Sequence, residues 1–97
     1  MPYFECLEQV EGSKQDHHLV LYALSTCGWC KKARAFLGDN DIAYRFVYVD
    51  LLEGDELEKV FSEVKRLNAL RTFPTLVIDD EDVVVGFNES TYKDKLL

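Results

Sequence analysis

The segment "HLVLYAL", His18 to Leu24, places the tightest constraint on the fold. Leu19 to Leu24 is apolar apart from the Tyr22 hydroxyl, and successive side chains of a strand face opposite sides, so both faces of this strand must be covered. Six apolar residues fall far short of the roughly 20 that a membrane-spanning helix needs, which leaves a central strand between layers of helix.

Behind that strand stands "STCGWCKKARAFLG". From Cys30 the apolar residues Ala33, Phe36 and Leu37 recur at helical spacing, and Gly38 offers a stop, which predicts a helix over Gly28–Leu37. Tyr44, Phe46 and Tyr48 then alternate through "DIAYRFVYVD", so strand, helix and strand form a βαβ unit with parallel strands. Leu57, Val60, Phe61, Val64 and Leu67 share a face of a second helix, with Asp55 and Glu58 spaced as a capping box and Asn68 at the end. Thr75 to Ile78 and Val83 to Phe87 flank "DDED" as a hairpin whose acidic tip reads as a solvated turn. Asn88 or Ser90 caps a last helix that turns Tyr92 and Leu96 inward.

The order β-α-β-α-β-β-α describes an α/β domain, a mixed four-stranded sheet flanked by helices, over residues 17–97. Residues 1–16 form an N-terminal extension with a possible edge strand, expected to pair with Leu19 to Leu24 through a turn at Gly12-Ser13. At 97 residues the chain suffices for one core and not for two.

A formal charge of −7, with no basic stripe, disfavours nucleic acid as a partner. The opening "MPYFECLEQVEG" carries acids where a secretory signal would carry basic residues, so a cytoplasmic location away from membranes is expected, and a monomer rather than a dimer. Three cysteines are an odd number for a disulfide scaffold, and a reducing compartment favours a reactive or metal-binding pair, with Cys6 left over as a packed small side chain.

Cys27 and Cys30 admit three readings: half of a metal site, a fixed crosslink, or a dithiol that opens and closes. Zinc needs two further ligands, and His17 and His18 are adjacent residues that a strand points to opposite faces. A static disulfide over so short a loop restrains the unfolded chain little and is reduced in the cytosol. A dithiol at a strand-to-helix junction fits the spacing, because one helical turn brings the sulfurs together while free amides and the helix dipole favour a thiolate at Cys27. Lys31, Lys32 and Arg34 oppose that dipole at about 0.3–1 kcal/mol each, a cost that a neighbouring thiolate offsets, and Lys31 and Lys32 are accordingly assigned to electrostatic tuning. In "RTFPT", the local pattern of Pro74 suits either a trans proline opening a strand or a cis bond in a tight turn, the former being the commoner.

Taken together, "STCGWCKKARAFL", "RTFPTLVI" and "VVVGFNEST" resemble the glutaredoxin family, from about Leu19 to the end of the chain. The nearest likeness is to archaeal and bacterial glutaredoxin-like redoxins, including the branch that donates electrons to ribonucleotide reductase. The resemblance implies a thioredoxin-like fold, protein disulfide reduction with Cys27 as nucleophile and Cys30 as resolving cysteine, and a cis Pro74 packed against them. It also implies a docking role for Trp29, for the backbone of Phe73 and Thr75, and for Gly86. No bound cofactor is expected beyond the redox-active disulfide. Leu24 stands where glutathione-using members carry a basic residue, and Gly86-Phe87 followed by Asn88 replaces their Gly-Gly and acidic helix start. The reductant is therefore expected to be of the thioredoxin reductase type or ferredoxin-linked, with glutathione the remaining candidate. The alternative is a glutaredoxin holding a [2Fe–2S] cluster, consistent with Gly28 in place of proline.

Overall fold

The structure, a computed structural model, describes residue 4 and residues 6–70 and 72–97. Its elements are β1 (Glu8–Val10), β2 (Leu19–Ala23), α1 (Gly28–Asp39), β3 (Tyr44–Tyr48), a 3-10 turn (Val49–Leu51), α2 (Gly54–Leu67), β4 (Thr75–Ile78), β5 (Asp82–Val85) and α3 (Glu89–Leu96). One five-stranded sheet runs in the order β1-β3-β2-β4-β5, with β2 and β3 parallel and the other pairings antiparallel.

All five residues of β2 are buried, and the pleat divides them between two cores. Leu19, Leu21 and Ala23 pack with Ala33, Phe36 and Leu37 of α1 and Tyr92 and Leu96 of α3. Val20 and Tyr22 face the other way, onto Val60 and Val64 of α2. This double coverage is what the apolar run requires.

Four boundaries and pairings differ from expectation. The N-terminal strand pairs with β3, Glu8 opposite Phe46 and Val10 opposite Tyr44, and not with β2, because β3 and β4 already occupy both edges of β2. Gly12 allows the extension to lie flat, since a Cβ there would come within 2.6 Å of the Ala43 nitrogen and 2.7 Å of the Asp41 oxygen. Helix α1 runs through Gly38 to Asp39, because Asn40 supplies the stop with its own amide and a side-chain bond to the Phe36 carbonyl at 2.8 Å. Helix α2 begins at Gly54 after Glu53 and makes no side-chain cap, so the Asp55–Glu58 capping box does not form, and Asp55 and Glu56 meet the positive end of the dipole instead. Strand β5 stops at Val85, where Gly86 turns away at φ +78° and donates its N–H to the Pro74 carbonyl at 2.8 Å.

The acidic hairpin tip is partly engaged. Asp79 accepts from the His18 amide at 2.8 Å and pairs with His17 Nδ1 at 2.7 Å, and these contacts, His17 first, hold its carboxyl below the usual range. Asp82 pairs with Lys95 of α3 at 2.6 Å.

Candidate active site

Cys27 is the N-cap of α1, held at φ −90° and ψ 119°, and the thiol sulfur takes the place that a serine or aspartate oxygen fills in most caps. Its Sγ accepts the amide N–H of Cys30 at 3.1 Å, a charge-assisted bond whenever the sulfur is an anion. Across the site the Phe73 carbonyl lies 4.0 Å from the same sulfur. Both cysteines are free thiols, Cys27 partly exposed and Cys30 buried. Burial pushes the Cys30 thiol up to about 12, the Cys27 sulfur and the Asp50 carboxylate acting in the same direction.

The loop before Cys27 is fastened from the neighbouring strand end. Asp50 accepts from the Ser25 amide at 2.8 Å and from the Ser25 hydroxyl at 2.5 Å, and these bonds, the hydroxyl's first, hold the Asp50 carboxyl below its ordinary value. Trp29 is 58% exposed beside the cysteines, and Lys32 Nζ stands 4.4 Å from its ring centroid as a cation–π contact. Lys31 is exposed on the same turn. Arg34 departs from its expected place among the tuning cations. It turns to the sheet, donates to the Tyr44 and Tyr48 hydroxyls at 2.9 and 2.7 Å, and lies 3.8 Å over the Phe46 ring.

The Phe73–Pro74 bond is cis, the isomer that the family resemblance implies and not the one that the local pattern favours. Pro74 and Thr75 are buried, Phe73 is half-buried against both cores, and Gly86, just past β5, donates its N–H to the Pro74 carbonyl. Beneath them Asn68, only 3% exposed, organises the loop. Its Nδ2 donates to the Thr72 carbonyl and hydroxyl, both at 3.1 Å, and to Thr75 Oγ1 at 3.2 Å, while its Oδ1 accepts from the Leu70 amide at 3.1 Å. Sequence reasoning marked Asn68 only as a helix end, and missed Asp50 altogether. The available signal was an amide residue followed within seven positions by two threonines.

The zinc ligand set is not assembled: His17 and His18 engage Asp79 and Asp80 at the opposite end of β2 from Cys27. Cys6 is partly buried beside the α2-side core, and burial, then Glu56, raises its thiol. Among the described residues no group of three or more His, Cys, Asp or Glu side chains is placed to hold a metal ion, and no helix is long and apolar enough to cross a membrane.

Of the five large apolar side chains left exposed among the described residues, Leu97 follows α3, and Trp29, Leu51, Leu70 and Val85 belong to segments that begin or end at the sheet edge where Cys27 lies. The arrangement combines a partly exposed sulfur at a helix N-terminus, a second thiol buried behind it, and an apolar surround suited to a protein surface.

The family model that matches the chain is Glutaredoxin, over residues 19–83. Glutaredoxin 1 of Rickettsia conorii is 31% identical over 67 residues, which are 69% of this chain and 63% of that relative, so the match spans less than two thirds of the relative's length. Among solved structures, the glutaredoxin of Methanosarcina mazei Go1 superposes with a TM-score of 0.84 at 40% identity, covering 95% of this chain and 88% of the other. Methanoredoxin of Methanosarcina acetivorans superposes at 0.83 with 39% identity, covering 88% of each chain.

Proposed function

The chain belongs to the glutaredoxin family, whose fold and cysteine pair imply thiol–disulfide oxidoreductase activity, and from that premise we propose that it reduces disulfide bonds of proteins by a dithiol cycle. The Cys27 thiolate attacks one sulfur of the substrate disulfide, forming a mixed disulfide and releasing the other substrate sulfur, which takes up a proton. The Cys30 thiol then attacks Cys27 Sγ. The Cys27–Cys30 disulfide forms, the mixed bond breaks, and the proton lost by Cys30 ends on the departing substrate sulfur. Two electrons pass from the dithiol to the substrate, and an external reductant restores them.

The observation that carries this reading is the division of labour at the cap, where the reachable sulfur accepts an amide N–H and its buried neighbour stays a protonated thiol until called on. Trp29, Phe73, Pro74, Thr75 and Gly86 form the docking rim, with Lys31 and Lys32 supplying positive charge beside it. The partner lies extended against the backbone at Phe73 and Thr75. The exposed side chains of Trp29, Leu51, Leu70 and Val85 favour a protein substrate over a small charged thiol.

The same surface bears on the reductant. Leu24 is tucked against the α2-side core and Phe87 against the other, so neither offers a charge to glutathione. The Asn88 side chain already accepts from the Thr91 amide at 3.1 Å at the start of α3. The reading is therefore a protein reductant of the thioredoxin reductase or ferredoxin-linked type, with targets that include enzymes such as ribonucleotide reductase, in the cytoplasm.

Cys30→Ser is expected to accumulate a mixed disulfide with a protein substrate, and Cys27→Ser to form none. The reverse pattern would exchange the two roles. Turnover driven by glutathione and its reductase that exceeds turnover with either protein reductase would overturn the assignment of the reductant.

A further inference from the structure

Arg34 takes no part in the dithiol chemistry, yet its guanidinium is held firmly. Nε donates to the Tyr44 hydroxyl at 2.9 Å, Nη1 donates to the Tyr48 hydroxyl at 2.7 Å, and the central carbon lies 3.8 Å from the centroid of the Phe46 ring. All of these partners are neutral. Arg66, Lys93 and Lys95 each meet a carboxylate, but Arg34 makes no ion pair among the described residues, in a chain whose formal charge is −7. Glu8 stands opposite Phe46 in the sheet register and is exposed without pairing with Arg34. A guanidinium carries more N–H donors than the two phenols use, and one N–H on each Nη is left as an open fork of the shape that receives a carboxylate. Stacking on Phe46 accounts for the packing of the side chain but not for a charged fork fixed without a counterion.

The location gives this fork a role. Arg34 lies seven residues beyond the N-cap Cys27, about 10 Å along α1 at about 1.5 Å per residue, with exposed Lys31 between them on the same helix face. Its side chain reaches Tyr48 at the end of β3. In the sheet order, β3 and β4 lie on either side of β2, the strand that leads to Cys27. Phe73 and Thr75 at the start of β4, and the Arg34–Tyr48 patch at the end of β3, therefore flank the sulfur from opposite sides. A segment that docks at the first and crosses the sulfur reaches the second within about three extended residues.

We propose that Arg34 is a specificity-determining residue, its open fork receiving a carboxylate of the protein substrate, an aspartate or glutamate about three residues from the cysteine that Cys27 attacks. The net negative charge of the chain disfavours acidic partners at long range. A fixed cation beside the thiol then admits an acidic side chain at one place and sets the register of the docked segment. The contact forms on docking, and the chemistry of the two cysteines is unchanged.

This inference rests on the dithiol reading, and the experiment separates the two. The full chain is given peptide disulfides that differ only in Glu or Gln about three residues from the cysteine, on each side of it in turn. Each rate is taken relative to that for bis(2-hydroxyethyl) disulfide, which is too short to reach Arg34, so a general loss of folded protein cancels. The parent prefers a Glu peptide over its Gln counterpart by about fivefold in kcat/KM, the upper end for an ion pair open to solvent, and the preference fades as salt rises. In Arg34→Gln the ratio falls to about one, and Arg34→Lys, which keeps the charge without the fork, lies between. Equal reduction of Glu and Gln peptides by the parent, or a preference that survives in Arg34→Gln, would overturn the proposal while leaving the dithiol reading intact. Absence of any mixed disulfide in Cys30→Ser would instead remove the reading on which it rests.

Discussion

Replacing Asn68 by alanine tests whether the loop carrying Phe73 and Pro74 is held by one buried amide. Three acceptors and one donor of the segment 70–75 meet this side chain, but its two N–H groups serve three oxygens, so about three bonds' worth of stabilisation is at stake. At about 0.5–1.5 kcal/mol net for each bond, partly offset because the Leu70 amide reaches water and Thr75 Oγ1 keeps its bond to the Thr72 carbonyl, the loss is about 2–3 kcal/mol. For a domain of this size that lowers the melting temperature by about 10–20 °C. The functional effect is selective. The Phe73 carbonyl faces Cys27 from this loop, so docking of an extended protein segment weakens, whereas alkylation of Cys27 by iodoacetamide does not need the loop. Thermal unfolding, paired with rates for a protein disulfide and for iodoacetamide, gives the readout. A melting temperature within about 3 °C of the parent would refute the energetic argument, and equal slowing of both reagents would refute the positional one.

Two further outcomes follow from packing and protonation. Cys30 is raised to about 12 in the folded chain from an ordinary 9.0, so the unfolded chain releases this proton first as pH rises. Stability from the buried thiol is complete below about pH 9 and is lost towards about pH 12; urea unfolding of the reduced protein therefore falls more steeply with alkalinity than that of Cys30→Ala, in which Tyr22 and Tyr92 still titrate, and parallel profiles would contradict the burial argument. Gly12→Ala drives a Cβ into the backbone of Asp41 to Ala43, costing about 1–3 kcal/mol locally. Amide exchange at Glu8–Val10 and Arg45 then accelerates while disulfide reduction continues at the parent rate, and a loss of activity would show that residues 1–16 are not an appendage to residues 17–97.

What the sequence discloses is what depends on nearest neighbours and on period. The apolar run of β2, the helical spacing after Cys30, the Asn88 cap and the inward Tyr92 and Leu96 are all local statements, and each is present in the fold. Side chains whose partners lie across the sheet are illegible in that way. Arg34 reads as a surface cation until the register of β3 brings Tyr44 and Tyr48 onto the α1 side beneath it. Asp50 reads as the end of a strand until parallel pairing sets it beside Ser25, 25 residues earlier. The partner strand of β1 depends on which sheet edge remains open, a question of the whole topology.

The same topology explains why distant residues meet at one thiol. Because β2 and β3 are parallel while β4 opposes β2 and β5 opposes β4, the ends of β2, β3 and β5 and the start of β4 share one edge. Each loop leaving that edge is then fastened by a contact to another loop: Ser25 to Asp50, Cys27 to Phe73, and Gly86 to Pro74. A partner docking there meets a backbone already in place, so little ordering entropy is lost on binding. Selectivity among partners then falls to the exposed side chains around the rim. Exchanging Leu51, Leu70 or Val85 should therefore alter which proteins are reduced, whereas changes at Ser25, Asp50 or Gly86 should weaken reduction of every protein alike.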